Sequence, residues 1–297
     1  MIESVPNVSE GRRPEVVELI VKAIRQTPGV RVLDWSSDFS HNRSVFSFVG
    51  EAGALADAVL AIYTAAVSAI DMREHQGAHP RIGAVDVVPF IPLAGSTMDE
   101  CVALARRVGA LVAARFSIPV YLYEEAASRP DRRNLADVRR GGFEGLASRM
   151  ATDDWRSDFG PASPHPSAGA SAIGARSILV AFNVNLATDR LADARAIAAA
   201  IRERSGGLPG LKAIGVPLDD RGIVQVSMNL TDYRRTTMAD AFEAVVREAN
   251  ARGVKVLESE LIGLAPAAAF GGASPAELLL VGPAENRTLE ARLDSTI

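Results

Sequence analysis

The amino-acid sequence predicts a mixed α/β (α+β) fold with two subdomains of the same topology and a ligand cleft between them. Segments with strand and helix periodicity follow one another in the order β-α-β-β-α-β, and the same order begins again at Arg176. Between the halves, residues 158–175 change abruptly to Gly, Pro, Ser and Ala, which indicates a boundary. Because β-α-β-β-α-β is the ferredoxin-like order, we expect ferredoxin-like subdomains over residues 1–175 and 176–297.

The spacing of apolar residues predicts the helices and strands of the first half. IESVPN has the pattern of a short strand, and residues 14–26 carry apolar side chains at helical spacing up to a Pro-Gly stop. VRVLDW and RSVFSFVG predict two strands that flank a polar turn, and residues 54–71 predict the second helix. IGAVDVVPFIPL, which is apolar almost throughout, predicts the fourth strand.

Further elements extend the first half. Thr97 and Glu100 form the S/T-x-x-E pattern, in which two side chains satisfy each other's backbone donors, so a helix is predicted from Thr97 to Arg115. PVYLY then predicts a strand, and the charged region after it has helical character. Cys101 lies in the alanine- and valine-rich pattern of the helix, which predicts a buried thiol without a catalytic role.

The second half repeats the order of elements with different residues. ILVAFNVNL predicts a strand, ATDRLADARAIAAAIRER a helix, LKAIGVPL and IVQVSMNL two strands, MADAFEAVVREAN a helix, and VKVLESELIG the last strand. No residue-level repeat is visible, so the duplication is inferred from element order alone.

The amino-acid composition limits the possible cellular location of the protein and its possible binding partners. The chain has 297 residues, 48% of them hydrophobic, and interspersed charges that sum to −4, which predicts a globular chain with no nucleic-acid partner. The N-terminus has no basic segment before an apolar core, and no stretch approaches the roughly 20 apolar residues that span a bilayer. We therefore expect a cytoplasmic protein with no membrane partner.

Two predicted central strands of the second half carry a polar stripe. Asn183 and Asn185 alternate with apolar residues on one strand, and Gln225, Ser227 and Asn229 do so on the other. The first and third strands of such a unit are neighbours, so these side chains share one face of the sheet. Solvent wets this face in many antiparallel sheets, but asparagine is depleted in strands, which favours contact with a polar ligand.

His75 and His79 lie four residues apart, directly before the fourth predicted strand. The zinc pattern H-E-x-x-H requires a helix and a glutamate, whereas the residues between these histidines are Q-G-A. Gly77 and Pro80 disfavour a helix, and no third His or Cys lies nearby. A metal site is therefore disfavoured.

Acid–base catalysis is another use of a histidine at this position. A neutral imidazole with a pKa of about 6.5 takes up and returns a proton near neutrality, and Pro80 favours a turn at His79. The residues alone leave open that His79 only caps the preceding helix. His41 and His165 lie in predicted loops and are weaker candidates. The sequence has no G-x-S-x-G or phosphate-loop pattern.

Five sequence strings occur together from about Val5 to about Gly263: VPNVSEG, HNRSVFSFVG, HQGAHPRIGAVDVVPFIPL, DFGP and AFNVNL. In this combination the sequence resembles the glutamate formimidoyltransferases of the formiminotransferase domain family. The resemblance implies transfer of the formimidoyl group of N-formimidoyl-L-glutamate to N5 of tetrahydrofolate, the co-substrate, in histidine degradation. It also implies two subdomains with folate in the intervening cleft, no metal, and a homodimer.

The resemblance also implies the site residues. The general acid/base of the family is the histidine before P-R in the H-P-R-x-G-A motif, which is His79 here. Folate is expected against residues 160–170 and 213–222, through Gly160, Pro161, Ser163, Ser167, Gly169, Gly215 and Gly222. The substrate carboxylates need cationic or amide donors, and the expected substrate ligands are Asn42, Arg43, Arg81, Asn183 and Asn229.

The chain departs from the family pattern two positions after Asp34, where Ser36 replaces an acidic residue. Asp38 is then the expected acidic partner of the histidine or the substrate. Three alternatives stay open. A related folate-dependent enzyme would transfer a formyl group from N-formylglutamate, a non-catalytic folate-binding protein would use the same cleft, and a metal-dependent amidohydrolase is the most remote.

Overall fold

The structure is a computed structural model that describes residues 1–78, 80–282 and 287–295. The chain forms two compact units, Met1–Arg176 and Ser177–Ile297. Both units mix helices and strands, with a seven-stranded sheet in the first and a four-stranded sheet in the second. This is the mixed α/β class that the sequence predicts.

The sheet of the first unit contains the predicted β-α-β-β-α-β order and two added strands. Its strands are β1 (Ile2–Ser4), β2 (Asn7–Val8), β3 (Val30–Asp38), β4 (Arg43–Gly50), β5 (Val85–Pro92), β6 (Val120–Glu124) and β7 (Ser171–Ala175). β3 pairs with β4, and β1 and β2 lie between β4 and β5, all antiparallel. β7 and then β6 continue the sheet in parallel beyond β5. The first predicted strand is interrupted at Pro6, which has no N–H for the ladder.

The helices of the first unit are α1 (Pro14–Arg25), α2 (Ala52–Ala69), α3 (Met98–Phe116), α4 (Leu135–Val138) and α5 (Gly142–Met150). The predicted capping pattern of α3 is confirmed. The N–H of Glu100 donates to Thr97 Oγ1 at 3.2 Å, and the N–H of Thr97 donates to Glu100 Oε2 at 2.8 Å. Cys101 on this helix is buried, as predicted, and burial raises its pKa to about 11.

α2 has the length and composition of a membrane span, contrary to the expectation from the sequence. Its 18 residues have a mean hydropathy of 1.6, and it is the one helix of this kind in the described part of the chain. The helix packs against α1 and α3, and Leu55, Val59 and Ile62 are buried in the core of the first unit. This packing accounts for the apolar composition of α2.

Residues 158–175 belong to the first unit and do not form a linker between the units. Asp158 accepts from the N–H of Leu122 at 2.7 Å and pairs with Arg132 at 2.7 Å. β7 lies inside the sheet, between β5 and β6. A Cβ atom at Gly174 would overlap Tyr123. The small residues here allow close packing, which is why their composition resembles that of a boundary.

The second unit has the predicted order β-α-β-β-α-β. Its elements are β8 (Val180–Leu186), α6 (Leu191–Ile201), β9 (Leu211–Leu218), β10 (Ile223–Leu230), α7 (Met238–Asn250) and β11 (Val256–Ile262), followed by α8 (Leu289–Asp294). The strands are antiparallel in the order β11-β8-β10-β9. β8 and β10 are central neighbours, as predicted, and their apolar residues form a core with α6 and α7.

Candidate active site

Three predicted site residues of the first unit, Asn42, Ser167 and Gly169, contact the stretch between α2 and β5, to which His79 and Arg81 belong. His79, the predicted general acid/base, lies outside the described residues, whereas its neighbours are described. Residues 75–82 are called the histidine segment below. The contacts of its described residues connect it to the turn between β3 and β4, to α5, and to the loop before β7.

His75 is a neutral imidazole with a defined tautomer. Arg81 Nε donates to His75 Nδ1 at 3.1 Å, so Nδ1 is an acceptor and the ring proton lies on Nε2. Nε2 donates to the backbone oxygen of Asn42 at 2.8 Å. Burial, to which the Arg81 charge adds, holds the pKa of His75 below its usual value. Because both ring nitrogens are engaged, His75 links two parts of the fold and is a poor proton carrier.

Arg81 joins the histidine segment to α5. Its Nη1 and Nη2 donate to Glu144 at 2.9 and 2.7 Å, and Nη2 also donates to the backbone oxygen of His75 at 2.9 Å. The hydrogen bond from Arg81 holds the pKa of Glu144 below its usual range. With the Nε contact, these bonds engage four of the five N–H groups of the guanidinium. Arg81 is thus fixed in direction, and its fifth N–H has no acceptor in residues 1–78, 80–282 and 287–295.

Asn42 lies in the turn between β3 and β4, and both polar atoms of its side-chain amide make hydrogen bonds. Its Oδ1 accepts from the N–H of Gly11 at 3.0 Å, and its Nδ2 donates to the backbone oxygen of Gln76 at 3.0 Å. Its φ of 47° lies in the left-handed region, which asparagine tolerates better than most residues. A Cβ atom at Gly77 would overlap the backbone oxygen of His41. The turn and the histidine segment are therefore in direct contact.

Arg43, a predicted substrate ligand at the start of β4, has few acceptors. Its Nη2 donates to Oδ1 of Asn7, and its guanidinium has no further acceptor within the described chain. Burial, followed by the neighbouring charge of Arg139, lowers the pKa of Arg43 to about 10. Asn7 belongs to the VPNVSEG string but has no pattern of its own that marks it as a contact of Arg43.

Asp86 and Arg139 extend this buried polar cluster. Asp86, on β5 and 2% exposed, accepts from the N–H of Ile82 at 2.8 Å through Oδ1. Its Oδ2 pairs with Nη2 of Arg139, the residue that follows α4. The sequence marks Asp86 only as an acid inside an apolar run, and nothing local marks Arg139. Both contacts are made by tertiary structure.

Asp38, the expected acidic partner, pairs with His41. The backbone N–H of His41 donates to Asp38 Oδ1 at 2.7 Å, and His41 Nδ1 lies 2.9 Å from Oδ2. Burial by itself would raise the pKa of Asp38, but the contacts with His41 and the charge of Arg43 hold it below its usual range. A role of Asp38 toward His79 or the substrate stays a prediction.

The loop before β7 brings two predicted folate-binding residues to the histidine segment. His165 and Gly169 exchange backbone hydrogen bonds of 2.8 and 2.9 Å, which closes a tight turn. The backbone oxygen of Ser167 accepts from the N–H of Met72 at 2.7 Å. Gly169 has a φ of 69°, and a Cβ atom there would overlap the backbone oxygen of Ile82. Glycine is therefore required both by conformation and by space.

The earlier part of the same loop lies further along the first unit. Gly160 has a φ of 91° and packs against the backbone of Ile118. The backbone oxygen of Pro161 accepts from Ser157 Oγ at 3.1 Å, and Ser163 is exposed. The contacts of Gly160 and Pro161 are thus with other parts of the unit, whereas Gly169 packs against Ile82 of the histidine segment and Ser167 contacts Met72, shortly before it.

The polar stripe of the second unit forms a hydrogen-bonded network. Asn185 and Gln225 are 0% exposed, and Gln225 Nε2 donates to Asn185 Oδ1 at 2.9 Å. Asn185 Nδ2 donates to Glu258 and Glu260 at 3.0 and 2.8 Å. Arg221 pairs with Glu258 at 2.7 Å. A solvent-wetted face is therefore the wrong interpretation for these two amides, which hydrogen-bond within the unit.

The other predicted residues of the second unit differ in environment. Asn183 is 4% exposed, and its Oδ1 accepts from the N–H of Met228 at 3.4 Å, whereas Asn229 is exposed. Gly215 packs against α6, and Gly222 has a φ of 61° in the turn between β9 and β10. The glycines therefore have packing or conformational reasons that are independent of a ligand.

The arrangement in the first unit is suited to an anionic substrate. Arg43 and Arg81 offer N–H donors beside a histidine segment that is held from both sides. In residues 1–78, 80–282 and 287–295, no group of three or more His, Cys, Asp or Glu side chains is arranged to hold a metal ion. The residues of this cluster that were not predicted from the sequence are Asn7, Asp86, Arg139 and Glu144.

Comparison with known proteins shows similarity over nearly the whole chain. Residues 1–176 match the profile of the formiminotransferase domain, N-terminal subdomain, and residues 181–275 match that of the formiminotransferase domain. A glutamate formimidoyltransferase of Streptococcus pyogenes serotype M1 is 46% identical over 270 residues, 91% of this chain and 90% of that protein. A glutamate formimidoyltransferase of Thermoplasma acidophilum is 45% identical over 99% of this chain and 97% of that protein. The formimidoyltransferase-cyclodeaminase of Rattus norvegicus is 42% identical over 90% of this chain, but only 50% of that protein is covered.

Proposed function

Because the chain belongs to the formiminotransferase domain family, we propose that it transfers the formimidoyl group of N-formimidoyl-L-glutamate to N5 of tetrahydrofolate in histidine degradation. The two relatives that it covers almost end to end are glutamate formimidoyltransferases. The structural observation that carries the proposal is the fixed histidine segment. Arg81 and Asn42 hold its backbone at His75 and Gln76, shortly before the H-P-R-x-G-A histidine.

His79 is the proposed general acid/base. The N5 lone pair attacks the amidine carbon, a C–N bond forms, and His79 accepts the proton of N5. The tetrahedral intermediate then breaks at its bond to the glutamate nitrogen, which takes the proton back from His79 as L-glutamate leaves. Such assistance contributes about 10² to 10⁴ in rate, and positioning of both substrates contributes much of the rest. Engagement of both His75 nitrogens supports assigning this role to His79.

Arg43, Arg81 and Asn42 are the proposed donor-substrate ligands of the first unit. Charge-assisted hydrogen bonds from guanidinium groups suit the carboxylates of the glutamyl donor. The buried Nε of Arg43, which has no acceptor among the described residues, and the fifth N–H of Arg81 support this. Asn183 and Asn229 are the proposed ligands of the second unit. The proposed folate contacts are Gly160, Pro161, Ser163, Ser167, Gly169, Gly215 and Gly222.

Tetrahydrofolate is the proposed co-substrate, and the steps above require no metal. We also propose that the protein is a homodimer in the cytoplasm and that it has no nucleic-acid or membrane partners. Contact of Gly169 with Ile82 places one of the proposed folate residues next to the histidine segment.

The test is an assay of the purified chain with tetrahydrofolate and N-formimidoyl-L-glutamate. Parallel reactions contain N-formyl-L-glutamate or a chelator. We expect folate-dependent formation of 5-formimidoyltetrahydrofolate that the chelator does not affect. A preference for the formyl donor would favour the formyltransferase alternative, and folate binding without turnover would favour a binding protein. Chelator-sensitive hydrolysis without folate would favour the amidohydrolase.

A further inference from the structure

Arg43 and Arg139 are two neighbouring cations with unused donors. Arg43 donates to Asn7 on β2, and Arg139 pairs with Asp86 on β5. β2 and β5 are paired strands, and Asn7 lies opposite Val87, the neighbour of Asp86. The charge of Arg139 also contributes to lowering the pKa of Arg43. Nε of each is buried without an acceptor among residues 1–78, 80–282 and 287–295. The Nη2 donors do have partners, Asn7 for Arg43 and Asp86 for Arg139. Two guanidinium groups are thus held together with part of their hydrogen-bonding capacity unused.

The nearby carboxylates Asp86 and Asp38 offset part of the charge of these cations but leave both Nε donors without an acceptor among the described residues. Asp86 divides its oxygens between Ile82 and Arg139, and none of its hydrogen bonds goes to Arg43. Asp38 uses both oxygens toward His41. Like charges held side by side in a desolvated place repel each other, and unpaired N–H groups there cost further free energy. An anionic ligand would relieve both.

We propose that Arg139, together with Arg43, binds one carboxylate of the glutamyl donor. The inference rests on the proposed function and adds Arg139 to its substrate ligands. Guanidinium groups match the planar carboxylate through paired N–H donors. Asp86 connects Arg139 to Ile82, at the end of the histidine segment, so a carboxylate bound here lies near the proposed chemistry. The glutamate tail of folate carries the same group, and the test below separates the two sources.

The first test measures KM for both substrates in Arg139→Gln, Arg139→Lys and the control Arg140→Gln. Arg140 adjoins Arg139 in sequence, but its side chain is 73% exposed and pairs with Asp137. We expect Arg139→Gln to raise KM for the glutamyl donor at least about tenfold, as for loss of a charged hydrogen bond. KM for tetrahydrofolate should stay within about twofold, Arg139→Lys should recover part of the loss, and Arg140→Gln should resemble the wild type.

A second test uses the unaltered chain, so it does not depend on the folding of a variant. Calorimetry compares binding of L-glutamate with that of L-glutamine and L-isoglutamine, each of which replaces one carboxylate by an amide. We expect one amide to bind at least about tenfold more weakly than L-glutamate, and this difference to shrink in Arg139→Gln. If formimidoyl transfer is absent but this dependence on Arg139 is found, the anion site stands and the proposed function fails.

Three results would overturn the proposal. The first is a lower melting temperature of Arg139→Gln with unchanged KM for the donor and unchanged binding of L-glutamate, which would make the pair with Asp86 purely structural. The second is a raised KM for tetrahydrofolate alone, which would assign the carboxylate to folate. The third is equal binding of all three amino acids by the unaltered chain.

Discussion

Arg81 donates from Nε to Nδ1 of His75 at 3.1 Å, and this contact defines His75 as a neutral ring with its proton on Nε2. Nε2 then donates to the backbone of Asn42, so the ring connects the histidine segment to the turn between β3 and β4. The position of each histidine in H-Q-G-A-H does not reveal this role of His75. His75 holds the backbone, and His79 remains the predicted proton carrier.

Replacement of the predicted general acid/base tests the mechanism most directly. His79→Ala is expected to lower kcat for formimidoyl transfer at least about a hundredfold, because proton transfer to and from the reacting nitrogens loses its carrier. Tetrahydrofolate binding and the circular dichroism spectrum should be unchanged. Steady-state kinetics and a binding titration measure the two effects. Near-normal turnover would contradict the role assigned to His79.

The depressed pKa of His75 predicts a pH dependence of stability. Because the folded-state pKa lies below the unfolded value of 6.5, the unfolded chain takes up the proton first as the pH falls. Stability from this group is therefore complete above about pH 6.5 and is lost as the pH falls through the lower folded value. His75→Gln, which does not titrate, should reduce this loss. Urea unfolding between pH 8 and pH 5 measures it, and identical profiles for both proteins would refute the prediction.

Contact between the histidine segment and the β3–β4 turn predicts a steric effect at Gly77. Gly77→Ala places a Cβ atom on the backbone oxygen of His41, so the segment must shift. We expect a loss of at least about 1 kcal/mol in the free energy of unfolding and a lower kcat. The matched control is Gly53→Ala in α2, where a Cβ atom meets nothing within 4 Å. That variant should be as stable as the wild type or more so. Equal effects of both substitutions on melting temperature and kcat would argue against the contact.

A buried acid outside the site predicts the opposite pH dependence. Glu3 on β1 is 5% exposed, and burial, opposed by the charge of Arg176, raises its pKa from 4.5 to about 7. The unfolded chain therefore loses this proton first, and stability falls as the pH rises from about 4.5 through 7. Glu3→Gln should raise the free energy of unfolding by about 1 kcal/mol or more at pH 8.

The control for Glu3→Gln is the same measurement at pH 5, where the variant should differ little from the wild type. Chemical unfolding at the two pH values gives the comparison. If Glu3→Gln stabilises the protein equally at pH 5 and pH 8, the Glu3 side chain acts through packing and not through its charge.

Local patterns in the sequence predict most of the elements. The capping pair Thr97–Glu100 and the alternation along β8 are both present in the structure, because a helix end or a strand face depends on residues near one another in the chain. β7 shows the limit of such patterns. Its place between β5 and β6 depends on the close approach of Gly174 to Tyr123, and small residues in the sequence resemble a boundary instead.

The sequence by itself determined the resemblance to the family, the β-α-β-β-α-β order and the position of the histidine segment. Each of these depends on residues that are close together in the chain. Only the tertiary structure decided that His75 is neutral, that Arg81 pairs with Glu144, 63 residues away in sequence, and that Arg139 pairs with Asp86. The physical reason is that charge state and hydrogen bonding depend on burial and on partners. Both are set by residues that come together only when the chain has folded.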